Sequence, residues 1–368
     1  MSESVYTETP PLSTPFPPEL VSRLQLTQLA LPQTDISKGL DVVQGLSQIP
    51  KTLPAQYFYD DRGSQLFEQI CDLPEYYPTR TEAAILATHA MDIANATGPC
   101  ELVELGSGSS TKTRLLLDAY ASLGRPFWYC PIDVSGGILK QSALTLLQDY
   151  TNLHIHGYVG PYEAALASLS PPQLPTRMVC FLGSTLGNLS PQECEHFFSQ
   201  LTHALQPGEY FLLGVDLHKS TQQLEAAYND SQGVTAAFNL NMLQHLNWKF
   251  QGDFQVENFQ HRAFYNSDEH QIEMHLDCLQ TQQVTLSALD FSIAISRGES
   301  IRTEISRKFD LDLLTQQLQV RNPPEVQGRS VPSSATAKFL HPLKTWTDPR
   351  AWFGLILCQC RAEPALNL

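Results

Sequence analysis

Residues 101–114, ELVELGSGSSTKTR, join a short apolar strand to a turn of small residues. The strand is predicted over 102–105, and a helix is predicted to begin at about Thr111. Glycines in such a turn let the backbone approach a ligand closely, and open α/β sheets bind ligands at the carboxyl ends of their strands. The stretch therefore predicts a site for a nucleotide-like cofactor.

The glycine spacing narrows the choice of cofactor. The turn reads E-L-G-S-G-S instead of the G-x-G-x-x-G that holds the pyrophosphate of a dinucleotide, and Thr111 stands where the third glycine would be. A cofactor without a pyrophosphate fits better, so the loop favours a methyltransferase that uses S-adenosyl-L-methionine. A nucleotide or dinucleotide enzyme, and a glycine turn that binds nothing, are the alternatives.

Composition limits the kind of partner. The chain has 368 residues, 42% of them hydrophobic and 17% charged, which predicts a soluble protein with two domains or one large domain with an insertion. The formal net charge of −15 makes nucleic acid and anionic membrane surfaces poor partners. A small cationic or zwitterionic substrate agrees better with that charge, and we expect a monomer.

The cysteines and the N-terminus predict a cytoplasmic protein. The eight cysteines form no CxxC pair, which favours reduced core residues over a disulfide framework or a zinc site. His154, His156 and His203 show no ligand spacing, so no metal is expected. The N-terminus lacks a signal sequence, and no apolar run reaches membrane-spanning length.

The order of elements predicts a doubly wound, Rossmann-like α/β fold. Residues 1–18 are rich in proline and predict a disordered tail. Helices are expected at 18–26, 39–48, 65–72 (capped by Ser64), 80–94 and 190–205. From residue 101, strands alternate with helices and are predicted at 102–105, 127–132, 154–156, 178–182 and 210–215. This alternation indicates a mostly parallel sheet with helices on both faces.

Residues 218–308 interrupt the alternation. Two helices and three strand-like runs are predicted there, at 222–229, 234–246, 260–265, 271–281 and 299–309. We interpret residues 19–80 and 218–308 as an added α+β substrate-binding domain. Residues 81–217 and 309–368 would form the methyltransferase domain, with a last strand at 352–360 and a long surface loop at 321–345.

Two residues next to the glycine turn are candidates for cofactor binding. Asp133 follows the second strand of the sheet, where a carboxylate accepts hydrogen bonds from a ribose diol, although an acid at a helix N-terminus is also stabilised there by the helix dipole. Lys112 lies at the start of the helix after the turn. It either binds the carboxylate of the methionine arm of the cofactor or is a solvated surface lysine.

Two other segments are candidates for substrate binding. Asn188 follows the fourth strand in FLGSTLGNLS, and its amide can accept from an amine and donate to a carboxylate, or it can simply close a turn. In the strand predicted at 298–309, alternation places Glu304 and Ser306 on one side together with Arg302. An acid and a hydroxyl on one surface can bind a polar ring, although a solvated strand face is the plainer interpretation.

Seven stretches of the chain carry a resemblance to a known family. They are PKTLPAQYFYDDRGSQLFEQICDLPEYYPTRTE (50–82), ELVELGSGSSTKTRLLLDA (101–119), FLGSTLGNLSP (181–191), GVDLHK (214–219), AYNDSQGVTAAFNLNMLQHLN (227–247), GESIRTEISRKF (298–309) and TWTDPRAWFGL (345–355). They resemble the histidine Nα-methyltransferases of ergothioneine biosynthesis. The resemblance implies a class I S-adenosylmethionine-dependent fold with an added substrate domain, and trimethylation of the α-amine of L-histidine to hercynine.

The resemblance also implies roles for individual residues. The cofactor would be held by Gly106, Lys112 and Asp133. The α-carboxylate and amine of histidine would be held by Tyr76, Asn188 and Tyr228. The imidazole would be bound or flanked by Tyr59, Glu304, Ser306 and Met274. Tyr59 and Asn188 are the residues expected to take part in the methyl transfer itself.

The chain departs from the family pattern at two places. After the third strand, where the family usually carries an Asp followed by an aromatic residue for the adenine, this chain reads Gly160-Pro161-Tyr162. Tyr162 keeps an aromatic surface, but Pro161 has no carboxylate to accept a hydrogen bond from the adenine amino group. The loop at 321–345 also looks longer than the family norm.

Chemistry favours histidine over the alternatives. Methyl transfer from a sulfonium is an in-line displacement that needs a neutral amine, and Tyr59, Tyr76 or a water can relay the protons released. A Glu304 carboxylate pairs with an imidazole N–H, which disfavours tryptophan or another aromatic amine as the substrate. A catalytically silent binding protein is disfavoured because Asn188, Tyr228 and the glycine turn are all retained.

Overall fold

The computed structural model describes residues 22–29, 39–319 and 338–362. The strands are β1 (Leu24–Gln28), β2 (Lys51–Thr52), β3 (Cys100–Leu105), β4 (Phe127–Asp133), β5 (Leu153–Val159), β6 (Thr176–Phe181), β7 (Tyr210–Asp216), β8 (Phe259–Asn266), β9 (Gln271–Cys278), β10 (Gln282–Leu286), β11 (Phe291–Ile295), β12 (Ser300–Arg307), β13 (Lys338–Thr347) and β14 (Phe353–Ala362). The α-helices are α1 (Leu40–Ser47), α2 (Asp61–Asp72), α3 (Tyr77–Thr97), α4 (Arg114–Ser122), α5 (Gly136–Asp149), α6 (Tyr162–Ser168), α7 (Pro191–Ala204), α8 (Thr221–Tyr228), α9 (Val234–Phe250) and α10 (Leu311–Gln319). None of these helices combines the length and apolar composition needed to cross a bilayer.

The larger sheet has the order β1-β5-β4-β3-β6-β7-β14-β13. Strands β1 and β3 to β7 are parallel, whereas β14 runs antiparallel to both of its neighbours. The chain proceeds from β3 to β5 on one side of β3, then crosses to β6 and β7 on the other. The predicted doubly wound fold is confirmed, and the carboxyl ends of β3 and β6 border the crevice where such sheets bind ligands.

The core of this sheet follows from its apolar strands. Leu102 and Val103 are neighbours on β3, so their side chains point to opposite faces, yet they are 1% and 0% exposed. Each packs into a separate hydrophobic cluster, one on each side of the sheet. A parallel strand buried on both faces is expected to be apolar throughout, as β3 is apart from its two glutamates.

The smaller sheet has the order β2-β12-β9-β8. A third hydrophobic cluster packs it against α1, α8 and α9 and includes Phe238, Met242 and Met274. The hairpin β10–β11, which the sequence did not predict, contributes Val284 and Ile295 to the same cluster. The two-domain division stays a prediction, although β1, from the segment assigned to the substrate domain, pairs with β5 of the larger sheet.

Two helix predictions near the N-terminus need correction. The helix expected at 18–26 is wrong where the structure describes it, because residues 24–28 form β1. The Arg23 guanidinium donates to the carbonyls of Tyr150 and Leu153 at 2.7 and 2.9 Å, which fixes this segment against the start of β5. Ser64 does not cap its helix, since Asp60 accepts from the Gly63 amide at 2.7 Å and α2 begins at Asp61.

Two predictions about the C-terminal half also need comment. The strand expected at 271–281 ends at Cys278. The prediction of a surface loop at 321–345 is wrong for residues 338–345, which belong to β13. Residues 321–337 of that loop and the tail predicted at 1–18 lie outside the described residues. The helix expected at 190–205 is confirmed as α7, and Ser190 and Glu193 exchange hydrogen bonds at its start as a capping box.

Candidate active site

The cofactor edge, which we define as residues 106–113 after β3 and 133–135 at the end of β4, leaves open space for a ligand. The amides of Gly106 and Ser107 donate to the carbonyl of Ile132 at 2.8 and 3.1 Å. Gly106 has a φ of +71°, and a Cβ built there meets no atom within 4 Å. Glycine is thus required by the backbone conformation, while the space above it fits a bound cofactor.

Asp133 ties the two parts of the cofactor edge together. Its two carboxylate oxygens accept from the amides of Gly108 and Ser135, each at 2.8 Å. Burial raises the pKa of Asp133, and these backbone hydrogen bonds oppose that effect. Because an ionised carboxylate accepts about four hydrogen bonds, Asp133 keeps acceptor capacity for a ribose hydroxyl.

Lys112 is not the solvated surface lysine that the sequence allowed. Its ammonium pairs with the carboxylate of Glu82, which is fully buried and also accepts from the Gly183 amide at 2.9 Å. Burial alone would lower the pKa of Lys112, but the Glu82 charge raises it. Sequence reasoning missed Glu82, although it ends the PTRTE part of the first matching stretch.

A second buried carboxylate that sequence reasoning missed holds the glycine turn from below. Glu104 on β3 accepts from Thr113 at 2.6 Å and from the Tyr129 hydroxyl. Burial raises the pKa of Glu104 to about 7, against the effect of these two hydrogen bonds. The sequence did hold a sign of this role, since an acidic residue stands inside an otherwise apolar strand. A buried carboxylate is costly unless it is hydrogen-bonded.

The predicted adenine loop lies beside the cofactor edge. The Gly160 amide donates to the Asp133 carbonyl at 2.9 Å, and Pro161 precedes the first residue of α6. The Tyr162 ring packs against Phe181 and Phe197 at centroid distances of 5.7 and 5.8 Å, and it is partly buried. Part of the Tyr162 surface remains exposed, and its contact with adenine stays a prediction.

The seven residues predicted to bind substrate all line one cavity, the substrate cavity. They are Tyr59, Tyr76, Asn188, Tyr228, Met274, Glu304 and Ser306. Gly183, whose amide donates to Glu82, lines the same cavity, so the cavity adjoins the cofactor edge through the Glu82–Lys112 pair. The structure thus brings residues from six separate places in the sequence together next to the carboxyl ends of the parallel strands.

A close approach between two backbones places Asn188 beside Glu304. Asn188 ends a short 3-10 turn over Thr185–Asn188, and a Cβ on Gly187 would lie 2.8 Å from the Arg307 carbonyl oxygen. Only glycine lets this turn pack so tightly against β12. The Asn188 side-chain amide therefore reaches Glu304 and donates to Oε1 at 2.9 Å.

The predicted alternation along β12 is interrupted by a bulge. The pairing with β9 shifts between Arg302 and Glu304, and the side chain of Thr303 is buried, donating to Asn239 at 2.7 Å. Arg302 pairs with His275 and Glu304 pairs with Met274, which are consecutive on β9 and point to opposite faces. The prediction that Arg302 shares a face with Glu304 is therefore wrong. Glu304 and Ser306 do line the same surface, beyond the bulge.

Glu304 has a pKa close to neutral pH. Burial raises the pKa of Glu304 to about 7, against the charge of Lys308 and the hydrogen bond from Asn188. At neutral pH the side chain can accept hydrogen bonds as a carboxylate, and an N–H or cationic ligand would favour that form.

A buried network supports the cavity from behind. Tyr228 donates to Ser306 at 2.8 Å, and the ammonium of Lys308 donates to Ser306 at 2.9 Å and pairs with Asp216 at 2.9 Å. Lys219 pairs with the other oxygen of Asp216 at 2.6 Å. Burial opposes ionisation of Asp216, but the two lysines hold its pKa below the usual range.

An aromatic wall forms another side of the cavity. The rings of Tyr59 and Phe67 lie 5.9 Å apart, those of Phe67 and Tyr76 6.3 Å, and those of Tyr76 and Tyr228 6.1 Å, all edge to face. Burial raises the pKa of Tyr59 and of Tyr76, so both hydroxyls stay protonated at neutral pH.

Sequence reasoning missed several residues that line or support the cavity. Among them are Phe67, Asp216 and Phe238, which line it, and Lys308, which donates to Ser306 from behind. Each lies inside a stretch that matched the family, in SQLFEQ, GVDLHK, AAFNLN and ISRKF, so the matching stretches held a signal that single-residue reasoning did not use. Among the described residues, no three His, Cys, Asp or Glu side chains converge as a metal site.

Comparisons with known proteins agree with this geometry. A family profile described as histidine-specific methyltransferase, SAM-dependent, matches residues 38–360. The chain is 43% identical over 317 residues to the histidine N-alpha-methyltransferase of Mycolicibacterium smegmatis, covering 86% of this chain and 93% of that protein. It is 40% identical, with the same coverages, to the histidine N-alpha-methyltransferase of Mycobacterium tuberculosis. It is also 33% identical over 233 residues to ergothioneine biosynthesis protein 1 of Neurospora crassa, covering 59% of this chain and 26% of that protein.

Proposed function

The chain belongs to the histidine-specific, S-adenosylmethionine-dependent methyltransferases, and we propose that it transfers three methyl groups to the α-amine of L-histidine. The product is hercynine, an intermediate of ergothioneine biosynthesis. The observation that carries this proposal is the substrate cavity itself, where Glu304 and Ser306 lie on one surface and Asn188 touches Glu304.

The cofactor edge supplies the methyl donor site. We assign Asp133 to the ribose and Lys112 to the methionine carboxylate, with Gly106 giving the backbone room to approach. The open space above Gly106 and the remaining acceptor capacity of Asp133 support this assignment. Pro161 and Tyr162 border the adenine. The bound donor supplies an electrophilic methyl group.

Substrate binding divides between the two ends of histidine. Asn188, Tyr76 and Tyr228 hold the α-amine and α-carboxylate, and Glu304 with Ser306 holds the imidazole, beside Met274 and Tyr59. Methyl transfer is an in-line displacement by a neutral amine. These side chains therefore contribute by aligning the amine with the methyl group and by excluding water. An ionised Glu304 accepts the imidazole N–H, which no carbon-only ring offers.

The protons that leave the amine need a path. The raised pKa values of Tyr59 and Tyr76 disfavour a phenolate base, which supports a relay through phenol hydroxyls or water. As methyl groups accumulate, the amine becomes a quaternary cation. The aromatic wall then stabilises it through the faces and hydroxyls of its rings, since such cations bind well against aromatic side chains. A cytoplasmic monomer remains our prediction.

An end-point assay tests the substrate. The protein is incubated with S-adenosylmethionine and an equimolar mixture of amino acids, and the products are identified by mass spectrometry. We expect histidine alone to gain three methyl groups. Methylation of tryptophan or another amino acid in its place would keep the fold and the cofactor but overturn the proposed role of Glu304.

A further inference from the structure

The ammonium of Lys308 lies behind the substrate cavity with all three of its hydrogens engaged. Its side chain is 0% exposed and reaches the Ser306 hydroxyl at 2.9 Å, the Tyr228 hydroxyl at 3.2 Å and an Asp216 oxygen at 2.9 Å. A lysine ammonium has three N–H donors and no acceptor, so these contacts can run in one direction only. Lys308 therefore donates to both hydroxyls.

This arrangement fixes what Ser306 can offer a ligand. The Ser306 oxygen accepts from Lys308 at 2.9 Å and from Tyr228 at 2.8 Å, which uses both of its lone pairs. Its own hydrogen remains, and Ser306 lines the cavity. Towards a ligand, Ser306 is consequently a donor, whereas ionised Glu304 on the same wall is only an acceptor.

We propose that Lys308 is a positioning residue that holds Ser306 as a hydrogen-bond donor, so that Glu304 and Ser306 together select a ring with one N–H and one unprotonated nitrogen. The inference rests on the proposed function, in which the imidazole of histidine occupies this end of the cavity. A neutral imidazole has one donor and one acceptor nitrogen, whereas an imidazolium has two donors and would face the Ser306 hydrogen.

The same network provides a matched control. Asp216 is paired with Lys219 at 2.6 Å and accepts from the Tyr77 hydroxyl at 2.6 Å, so it keeps a cationic partner when Lys308 is replaced. The contacts described for the Lys219 ammonium run to Asp216, Tyr77 and the Leu217 carbonyl, and not to Ser306. Lys308→Met and Lys219→Met thus each remove one buried cation from Asp216, but only the first removes a donor to Ser306.

The test compares two ligands in the presence of S-adenosylhomocysteine. The dissociation constants of L-histidine and of β-(2-thienyl)-L-alanine, whose five-membered ring has no nitrogen, are measured for both variants. In Lys308→Met we expect histidine to weaken by about 10- to 30-fold and thienylalanine by less than about threefold. In Lys219→Met both ligands should change in equal proportion. An equal loss for both ligands in Lys308→Met would reduce Lys308 to a structural role.

A second measurement uses the unaltered protein and does not depend on whether a variant folds. Histidine labelled with ¹⁵N in its ring is bound to the protein with S-adenosylhomocysteine, and its ring nitrogens are observed by NMR. One protonated and one unprotonated nitrogen is the expected result, and two protonated nitrogens overturn the inference. Absence of histidine binding to the unaltered protein would instead contradict the proposed function.

Discussion

Backbone amides of the glycine turn make most of the contacts that hold the cofactor edge together, whereas the substrate cavity is made of side chains. In the cofactor edge, the amides of Gly106, Ser107 and Gly108 bond to Ile132 and Asp133 on the neighbouring strand. In the substrate cavity, the decisive contacts join side chains that are more than 70 positions apart in the chain, such as Asn188 to Glu304 and Tyr228 to Ser306.

This difference implies that the two halves can be damaged separately. A backbone cradle tolerates most changes of side chain as long as Asp133 and Lys112 are kept and no atoms are added at a glycine, and it recognises a cofactor shared by many enzymes. A wall of side chains changes its selectivity with a single substitution, because each group has a specific donor or acceptor role. Affinity for the cofactor and affinity for histidine should therefore respond to different variants.

The largest effect is expected at Glu304. Glu304→Ala should weaken histidine binding by about 2–4 kcal/mol, since a charged hydrogen bond in a closed site is lost, while cofactor affinity stays unchanged. Calorimetric titration with each ligand separates the two affinities. Glu299→Ala is the matched control, because Glu299 precedes the same strand but pairs with Lys51 at 2.9 Å. An unchanged histidine affinity in Glu304→Ala would refute its role in reading the ring.

At Gly106 we expect the opposite pattern, a loss of cofactor affinity with unchanged histidine affinity. Gly106→Ala adds a Cβ to the space above the glycine turn, and overpacking of about 1–3 kcal/mol should weaken S-adenosylmethionine by roughly 10- to 100-fold. Gly124→Ala controls for backbone strain, because Gly124 has a similar φ of +68° and a Cβ there also meets nothing within 4 Å. Gly124 precedes β4, at the opposite end of the sheet from the cofactor edge. An equal loss of S-adenosylmethionine affinity in the two variants would show that backbone strain alone causes the loss.

The smallest effect concerns stability and pH. The pKa of Glu304 in the folded protein, about 7, lies above its unfolded value of about 4.3, so protonated Glu304 contributes stability at low pH that is lost as the pH rises through 7. Glu304→Gln removes this loss, and its melting temperature relative to the parent protein should rise by roughly 2–4 °C between pH 5.5 and pH 8. The measurement is thermal unfolding without ligands.

Glu299→Gln controls for this pH effect. Burial raises the pKa of Glu299, but the hydrogen bonds from Lys51 and the Ser296 amide together with the Lys51 charge lower it below its usual value. The contribution of Glu299 to stability is therefore lost only as the pH falls below the range tested. The melting temperature of Glu299→Gln relative to the parent protein should accordingly stay constant between pH 5.5 and pH 8. A constant difference for Glu304→Gln as well would mean that Glu304 titrates normally in the folded state.

The two halves also differed in how far the sequence predicted them. The strand, turn and helix around Gly106 are local, so their apolar periodicity and glycine spacing sufficed, and the alternation from residue 101 to 215 predicted the parallel sheet. Strand β1 was mistaken for a helix because Val21 and Leu24 have helical spacing, although Leu24 and Leu26 have the spacing of a strand. Its place is set by pairing with β5, which no local pattern reveals.

In the substrate cavity, only the family resemblance brought distant residues together. Local reasoning selected Asn188, Glu304 and Ser306 as polar groups but could not say that the bulge at Thr303 aims Glu304 at Asn188. Lys308 and Asp216 were missed for a similar reason. Their contact depends on how the end of β12 meets the end of β7. No periodic pattern in the sequence indicates such a tertiary contact.

The most direct test of the account is a crystal structure with both S-adenosylhomocysteine and L-histidine bound. We predict the imidazole N–H at Glu304, the other ring nitrogen at the Ser306 hydroxyl, and the α-amine beside Asn188, facing the sulfur of the cofactor. The opposite orientation, with the α-carboxylate against Ser306 and Lys308 and the ring towards the cofactor edge, would contradict the account.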